Sequence, residues 1–286
     1  MLQNNKNDNW DLIILSEDKL FSLGVKNIYN YRDLLWQFIK RDFLAFYKQT
    51  FLGPLWFFIQ PIFTVTVYIF LFSNLAHIST DGIPAPLFYL SGIAIWSYFS
   101  ECFIKTSTVF RDNIHIFGKV YFPRIVVPLG IMVSNLLKFI IQLILLSLMT
   151  IYYQFKLDSN ISVSPYILLF PLLILCLAAC GLGFGLIVSS LTTRYRDLAL
   201  LINFGMQLFM YASPVVYPIS SLNGTLYKLI LCNPLTIIIE GFRLAFFNHG
   251  YFDFGRLLYL IFFSFIIMFL GLLFFNKSER NFVDTI

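Results

Sequence analysis

VSPYILLFPLLILCLAACGLGFGLIVSS, residues 163 to 190, contains no Asp, Glu, Lys or Arg. A helix needs about 20 apolar residues to cross the hydrocarbon of a bilayer, and this run exceeds that length without a charged group. It reads as a transmembrane helix, and the chain around it repeats the pattern. Five further apolar runs of spanning length lie at about 54 to 76, 87 to 109, 124 to 153, 199 to 219 and 256 to 275. The expected fold is an all-α integral membrane protein with six transmembrane helices.

Composition agrees. Of 286 residues, 58% are hydrophobic and 12% charged, against roughly 45–50% and about 25% in an ordinary soluble domain. A soluble enzyme and a disordered chain are both excluded. Thirteen of the charged residues lie within the first 50 positions, so the rest of the chain is poorer still. Each charge placed at a bilayer centre costs roughly 2.5–3.5 kcal/mol, which leaves the remaining charges to the connections.

Orientation follows from Lys and Arg, which favour the cytoplasmic side. With the N-terminus inside, fifteen fall in cytoplasmic segments and four (Lys156, Lys228, Arg243, Arg256) outside. This predicts both termini inside and an even number of spans. Residues 1 to 20 are polar and lack the apolar core of a signal peptide, so the expected organisation is a cytoplasmic segment at 1–27, an interfacial helix at 28–48, a six-span domain at 49–275 and a cytoplasmic tail at 276–286. The interfacial helix is read from Ile28, Tyr31, Leu35, Phe38, Ile39, Phe43 and Phe46, which recur at helical spacing with basic residues between them.

A seventh apolar stretch, Leu226 to Phe247, tests the parity. Asn233-Pro234 breaks it, because proline lacks an N–H and disfavours helix in the residue before it. Glu240 and Arg243 then sit three apart. The expectation is two short re-entrant helices between spans 5 and 6, forming a gate at the external mouth with Asn233, Pro234, Glu240 and Arg243 as its key residues. Such broken backbone survives at membrane depth only inside protein or beside a water-filled cavity.

Residues able to carry chemistry are sparse. Cys102, Cys176, Cys180 and Cys232, with His77, His115 and His249, have no metal-ligand spacing, so no metal site is expected. No Gly-x-x-x-x-Gly-Lys-Ser/Thr phosphate loop occurs; Gly118-Lys119 lacks the rest of it. An ATPase, if one drives this protein, is another chain. Gly181 and Gly185 read as a small-residue face for close helix packing. Glu101 and Lys105, four apart, can pair on one helix face, whereas Lys138 lies mid-span, where facing a pathway, facing a partner and snorkelling all remain open.

Two connections are richer than simple turns. Residues 111 to 124, RDNIHIFGKVYFPR, mix large apolar side chains with basic ones, and TTRYRDL at 192 to 198 offers an Arg-Tyr-Arg-Asp surface. So much apolar surface in an exposed turn calls for lipid or a partner to cover it. The expected role is docking of a cytoplasmic subunit through Arg111, Ile114, Phe117, Lys119, Tyr121, Phe122, Arg194, Tyr195, Arg196 and Asp197.

RDFLAFYKQTFLGPLWFFIQP at 41 to 61, PLFYLSGIAIWSYF at 86 to 99, KVYFPR at 119 to 124, RYRDL at 194 to 198, SPVVYPI at 213 to 219 and NPLTIIIEGFR at 233 to 243 together resemble the permease subunits of type 2 ABC exporters for O-antigen, capsular polysaccharide and teichoic acid. The blocks stand in the family's order and cover roughly residues 30 to 275. The resemblance implies a homodimer in the bacterial cytoplasmic (inner) membrane, working with two copies of a cytoplasmic ATPase subunit on an undecaprenyl-type lipid-linked glycan. No cofactor would be bound by this chain; ATP and Mg would belong to the partner. By position it implies coupling helices at 111 to 123 and 192 to 199 and gate helices at 222 to 247.

Under that resemblance Arg32, Lys40, Arg41 and Lys48 of the interfacial helix are candidates for meeting the anionic lipid anchor, since cations near the inner surface attract anionic headgroups. Trp56, Tyr89, Trp96, Tyr98, Tyr211 and Tyr217 are candidates for the translocation path, with an interfacial aromatic belt as the alternative. Two other functions stay open: an ABC permease for a small lipid or drug, and, in a different class, a membrane-embedded glycan-processing enzyme, which the missing acid/base cluster disfavours.

Overall fold

The computed structural model describes residues 29–45, 48, 50–120, 122–156, 164–193, 195, 197–251 and 253–283. Every regular element among them is helical: α1 (Arg32–Ala45), α2 (Trp56–Tyr68), α3 (Ala85–Ser107), α4 (Val109–Asp112), α5 (Ile114–Phe117), α6 (Val126–Lys156), α7 (Phe170–Thr192), α8 (Leu198–Tyr211), α9 (Gly224–Leu231), α10 (Pro234–Phe247) and α11 (Phe254–Val283). Short 3-10 turns lead into α2 and α7, and α2 continues as a π-helix, Ile69–Leu75.

Among the described residues five helical segments are long and apolar enough to cross a membrane: Gly53–Leu75, Ala85–Ser107, Val126–Phe155, Pro165–Thr192 and Phe254–Glu279. They match five of the six expected runs. The remaining run is shorter than expected. α8 stops at Tyr211 after 14 residues, about 21 Å at 1.5 Å per residue against roughly 30 Å of hydrocarbon. Pro214 and Pro218 cannot extend the ladder, and the chain between them packs inward, with the Val215 carbonyl so close to Gly92 that a Cβ there would stand 3.0 Å from it. α9 and α10 meet at 88° across Asn233 and form the one broken pair; counted as a span, it makes six.

The packing is organised around α7. Gly181 and Gly185 face α3, where an added Cβ would meet Cys102 at 3.2 Å and Thr106 at 2.6 Å. Gly183, two residues on and so on the opposite face, sits against α11, where Gly271 would press a Cβ to within 2.6 Å of its carbonyl. The small-residue reading of this stretch therefore holds, and it serves two neighbours: backbones approach closely where lipid offers no hydrophobic drive for association. α3 is the most buried span and α2 the least. α1 lies across the start of α6, burying Phe38 and Ile39 and placing Phe38 over Gly130, 3.2 Å from where a Cβ would stand.

Candidate docking surface, gate and intramembrane cavity

At one end of the bundle α4 and α5 form a compact turn. Thr108 donates to Asp112 Oδ2 at 2.6 Å and Asn113 Nδ2 donates to the Val109 carbonyl at 3.0 Å, bracing α4 and the residue from which α5 starts. Arg111, Ile114, Lys119 and Val120 are exposed. Phe117 and Phe122, expected on the docking surface, are each only 5% exposed. They turn inward because their rings have partners: Phe117 lies 5.9 Å from both Phe110 and Phe122, and Phe122 lies 5.9 Å from Phe38 of α1. Their place is beneath the surface they were expected to form. Tyr195 and Asp197 of the second turn are exposed, while Tyr121, Arg194 and Arg196 lie outside the described residues.

The turn is tied to the rest of the bundle at three points. Phe110 stacks on Phe275 of α11 with centroids 4.8 Å apart. The Arg124 backbone N–H and guanidinium donate to Glu279, at 3.4 Å to its carboxylate and 3.3 Å to its carbonyl. At the second turn the Thr192 hydroxyl donates to the Ser107 carbonyl, so the end of α7 and the end of α3 are joined.

Along α1, Arg32 and Arg41 have partners already. Arg32 donates to the Tyr29 hydroxyl at 2.8 Å, and Arg41 pairs with Asp42 at 2.8 Å while lying over the Phe38 ring at 4.8 Å. Lys40 and Lys48 are exposed.

At the other end Asn233 caps α10, accepting from the Leu235 N–H at 3.0 Å, and its amide donates to the Ala212 carbonyl and the Ser213 hydroxyl. The side chain thus satisfies the orphan donor of a helix start and fixes the elbow to the segment after α8. Pro234 at the first helical position needs no hydrogen-bond partner there. Glu240 and Arg243, expected as key residues of the gate, are 6% and 1% exposed. They pair at 2.9 Å; Arg243 also donates to the Val215 carbonyl at 3.4 Å and lies 3.6 Å from the Phe88 ring centroid, and Glu240 accepts from the Tyr251 N–H at 3.3 Å. One buried cluster therefore clamps α3, the Val215 segment, α10 and the turn before α11.

The six path aromatics do not share a surface. Tyr89 is wholly buried among Tyr68, Phe72 and Phe88 and belongs to the core. Trp56 and Tyr211 are exposed and Tyr217 is half-buried, donating to the Tyr211 carbonyl at 3.0 Å. Trp96 and Tyr98, by contrast, both line a cavity of about 220 Å³ between α2, α3, α6 and α8. Lys138 ends there as well: its ammonium donates to Glu101 Oε2 at 2.7 Å, and Lys105 reaches the same oxygen at 3.4 Å. The expected Glu101–Lys105 pair forms, and Lys138 joins it.

The polar wall of this cavity was not anticipated. Its signal was present in the spacing: Asn135, Lys138 and Gln142 stand at i, i+3 and i+7 on α6, Ser97 and Glu101 at i and i+4 on α3, and Gln60 and Thr64 at i and i+4 on α2. Each set is a polar stripe on an otherwise apolar span.

Helices of spanning length with glycine-tight contacts and a membrane-level ion cluster describe a multi-pass membrane protein. A family model for the ABC-2 type transporter matches residues 33–247. The chain belongs to the ABC-2 type transporter family. Among curated relatives of this ABC-2 chain, an O-antigen export system permease protein from Myxococcus xanthus is 27% identical over 92% of this chain and 98% of its own length. A protein of the same description from Klebsiella pneumoniae is 26% identical over 88% and 94%. The polysialic acid transport protein of Escherichia coli is 21% identical over 80% and 87%.

Proposed function

We propose that this ABC-2 chain is the permease subunit of an ATP-driven exporter that carries a lipid-linked polysaccharide from the cytoplasmic side across the bacterial inner membrane. The observation that carries this reading is the alignment with an O-antigen export permease, which extends over nearly the whole of both chains. The polysialic acid transport relative also supports a polysaccharide cargo.

The working unit is a homodimer with two ATPase subunits, which bind the ATP and Mg. Arg111, Ile114, Lys119, Tyr195 and Asp197 form the face that meets the ATPase. Closure of the ATPase pair pushes on this face; the Thr192–Ser107 bond makes both turns move together, and the Phe110–Phe275 and Arg124–Glu279 contacts pass the displacement to α11. Lys40 and Lys48 meet the anionic lipid anchor more readily than Arg41, whose charge is already engaged by Asp42. The α9–α10 elbow gates the outer mouth.

Deleting the gene in its native host and locating the lipid-linked glycan tests the reading. The expected result is accumulation inside the cell with none at the surface. Normal surface glycan in a host without a second exporter favours a permease for small lipids or drugs.

A further inference from the structure

Lys138, Glu101 and Lys105 form a cluster whose charges do not cancel. The Lys138 ammonium donates to Glu101 Oε2 at 2.7 Å and Lys105 reaches the same oxygen at 3.4 Å. Among the described residues these three are the charged groups that act on one another here. Two ammonium groups on one carboxylate leave one positive charge over. Glu101 stands six residues before the end of α3 and Lys138 twelve residues into α6, about 9 and 18 Å from those helix ends at 1.5 Å per residue. Excess charge at that depth calls for a counter-ion, because hydrocarbon does not solvate it.

The cluster borders a space that suits an anion. Glu101 and Lys138 line the cavity of about 220 Å³ between α2, α3, α6 and α8, together with Ser97, Gln142 and, on an exposed side, Gln60. Lysine, serine and glutamine side chains all donate hydrogen bonds, and a phosphate oxygen accepts them. A metal cation is repelled by the excess positive charge, and a neutral ligand leaves that charge uncompensated. The Lys105 side chain is 46% exposed, so it has room to leave Glu101 to Lys138 and turn to a phosphate. Three unbalanced charges then become two balanced pairs.

The source of the phosphate is read from α2. Phe63 and Val67 lie three and seven residues beyond Gln60, on the same helix face, and are 68% and 50% exposed. Gln60 is near the start of the span that begins at Gly53, and the two apolar residues lie deeper. This is the order of a lipid in the leaflet at the docking end, headgroup at Gln60 and acyl chain along Phe63 and Val67. We infer that the cavity holds the phosphate group of such a lipid, bound by Lys138 and Lys105 with Ser97 and Gln142. The site goes beyond the export reading and does not depend on which cargo is carried.

The test uses the complete permease–ATPase complex in maltoside micelles, titrated with dihexanoyl phosphatidylglycerol, with inorganic phosphate and, as the phosphate-free control, with dihexanoylglycerol. Binding is read as the part of the tryptophan fluorescence change that disappears in Trp96→Phe, since Trp96 lines the same cavity. The expected result is a saturable change with the phospholipid, weakened about 10-fold or more in Lys138→Gln and in Lys105→Gln, the loss of a hydrogen bond to a charged group. Glu101→Gln removes the competing carboxylate and is expected to tighten binding. Opposite directions are the signature of charge, whereas a merely structural role moves all three variants the same way. Lys105→Gln changes a half-exposed side chain and spares the Glu101–Lys138 pair, which keeps the test decisive if Lys138→Gln fails to fold. Inorganic phosphate is expected to bind more weakly, having no acyl chain to lay on α2; equal strength with the same charge signature makes free phosphate the ligand of this site. The site is overturned by the absence of a saturable change with both phosphate probes, by an equal change with dihexanoylglycerol, or by three variants that move together. Surface glycan in the deletion strain decides the export reading separately, so either fails without the other.

Discussion

Arg243 and Glu240 illustrate what a single side chain decides here. Both are almost completely buried, and each touches more than its partner: Arg243 reaches a backbone carbonyl and an aromatic face, Glu240 a backbone N–H. A buried pair of this kind is weak support for stability as a pair, but removing one member strands the other charge at a cost of about 3–5 kcal/mol. Arg243→Met is therefore expected to lower the thermal unfolding midpoint of the purified protein sharply, whereas Glu240→Leu combined with Arg243→Met loses much less. An Arg243→Met midpoint equal to that of the wild type rules out the clamp. The pair was legible in the sequence as a three-residue spacing, but its burial was not: spacing reports which residues share a helix face and says nothing about what that face meets. Phe117 and Phe122 make the same point in reverse, since an apolar ring in a turn reads equally as bait for a partner or as the turn's own small core.

Among the elements, α11 departs most from expectation. It was expected to end near residue 275 and leave a tail, yet it continues to Val283. The extra turns carry Glu279, whose contact with Arg124 and the Phe110–Phe275 stack join the helix to the α4–α5 turn. Glu279→Ala is expected to keep the protein in the membrane while weakening the link between the docking turn and the bundle by roughly 0.5–2 kcal/mol, the scale of a coupling contact. ATP hydrolysis by the complex would then continue while surface glycan per ATP falls, measured on the same preparation. Unchanged glycan per ATP removes α11 from the transmission path. α8 shows the complementary limit. Hydropathy runs on past Tyr211, but the prolines at 214 and 218 end the helix and the apolar residues that follow serve the core of α3. Apolar character is the same whether the neighbour is lipid or protein, so a run of it does not reveal where the helix stops.

For the molecule as a whole, the excess of Lys and Arg leads to the expectation that α4 and α5 face the inside of the cell and α9 the outside. Cysteine labelling reads this directly. Cys102, Cys176 and Cys180 are buried and Cys232 is exposed, so a Cys232→Ser background is quiet toward a membrane-impermeant maleimide. In it, Asn223→Cys is expected to react in intact cells and Val120→Cys only after permeabilisation. Labelling of both from one side means that α8 does not cross and that the α9–α10 pair does, which keeps six spans and overturns the gate. The reading of α9 and α10 as a returning pair depends on this outcome, because an 88° bend at Asn233 fits a broken crossing as well.

Read alone, the sequence marks a helical multi-pass membrane protein, five of the segments long enough to span, the proline that breaks the apolar stretch before the final span, and the family that the motifs resemble. These follow from local properties: hydropathy over about 20 residues, helical spacing and backbone chemistry. It takes the folded molecule to show that Lys138 meets Glu101 from 37 positions away, that three polar stripes on α2, α3 and α6 converge on one cavity, and that Gly183 and Gly271 meet where α7 and α11 pack. The physical reason is that in lipid an apolar side chain gains little by choosing a neighbouring helix over an acyl chain. The partners of each face are selected by close packing and polar pairing between segments distant in sequence, and no local pattern encodes them.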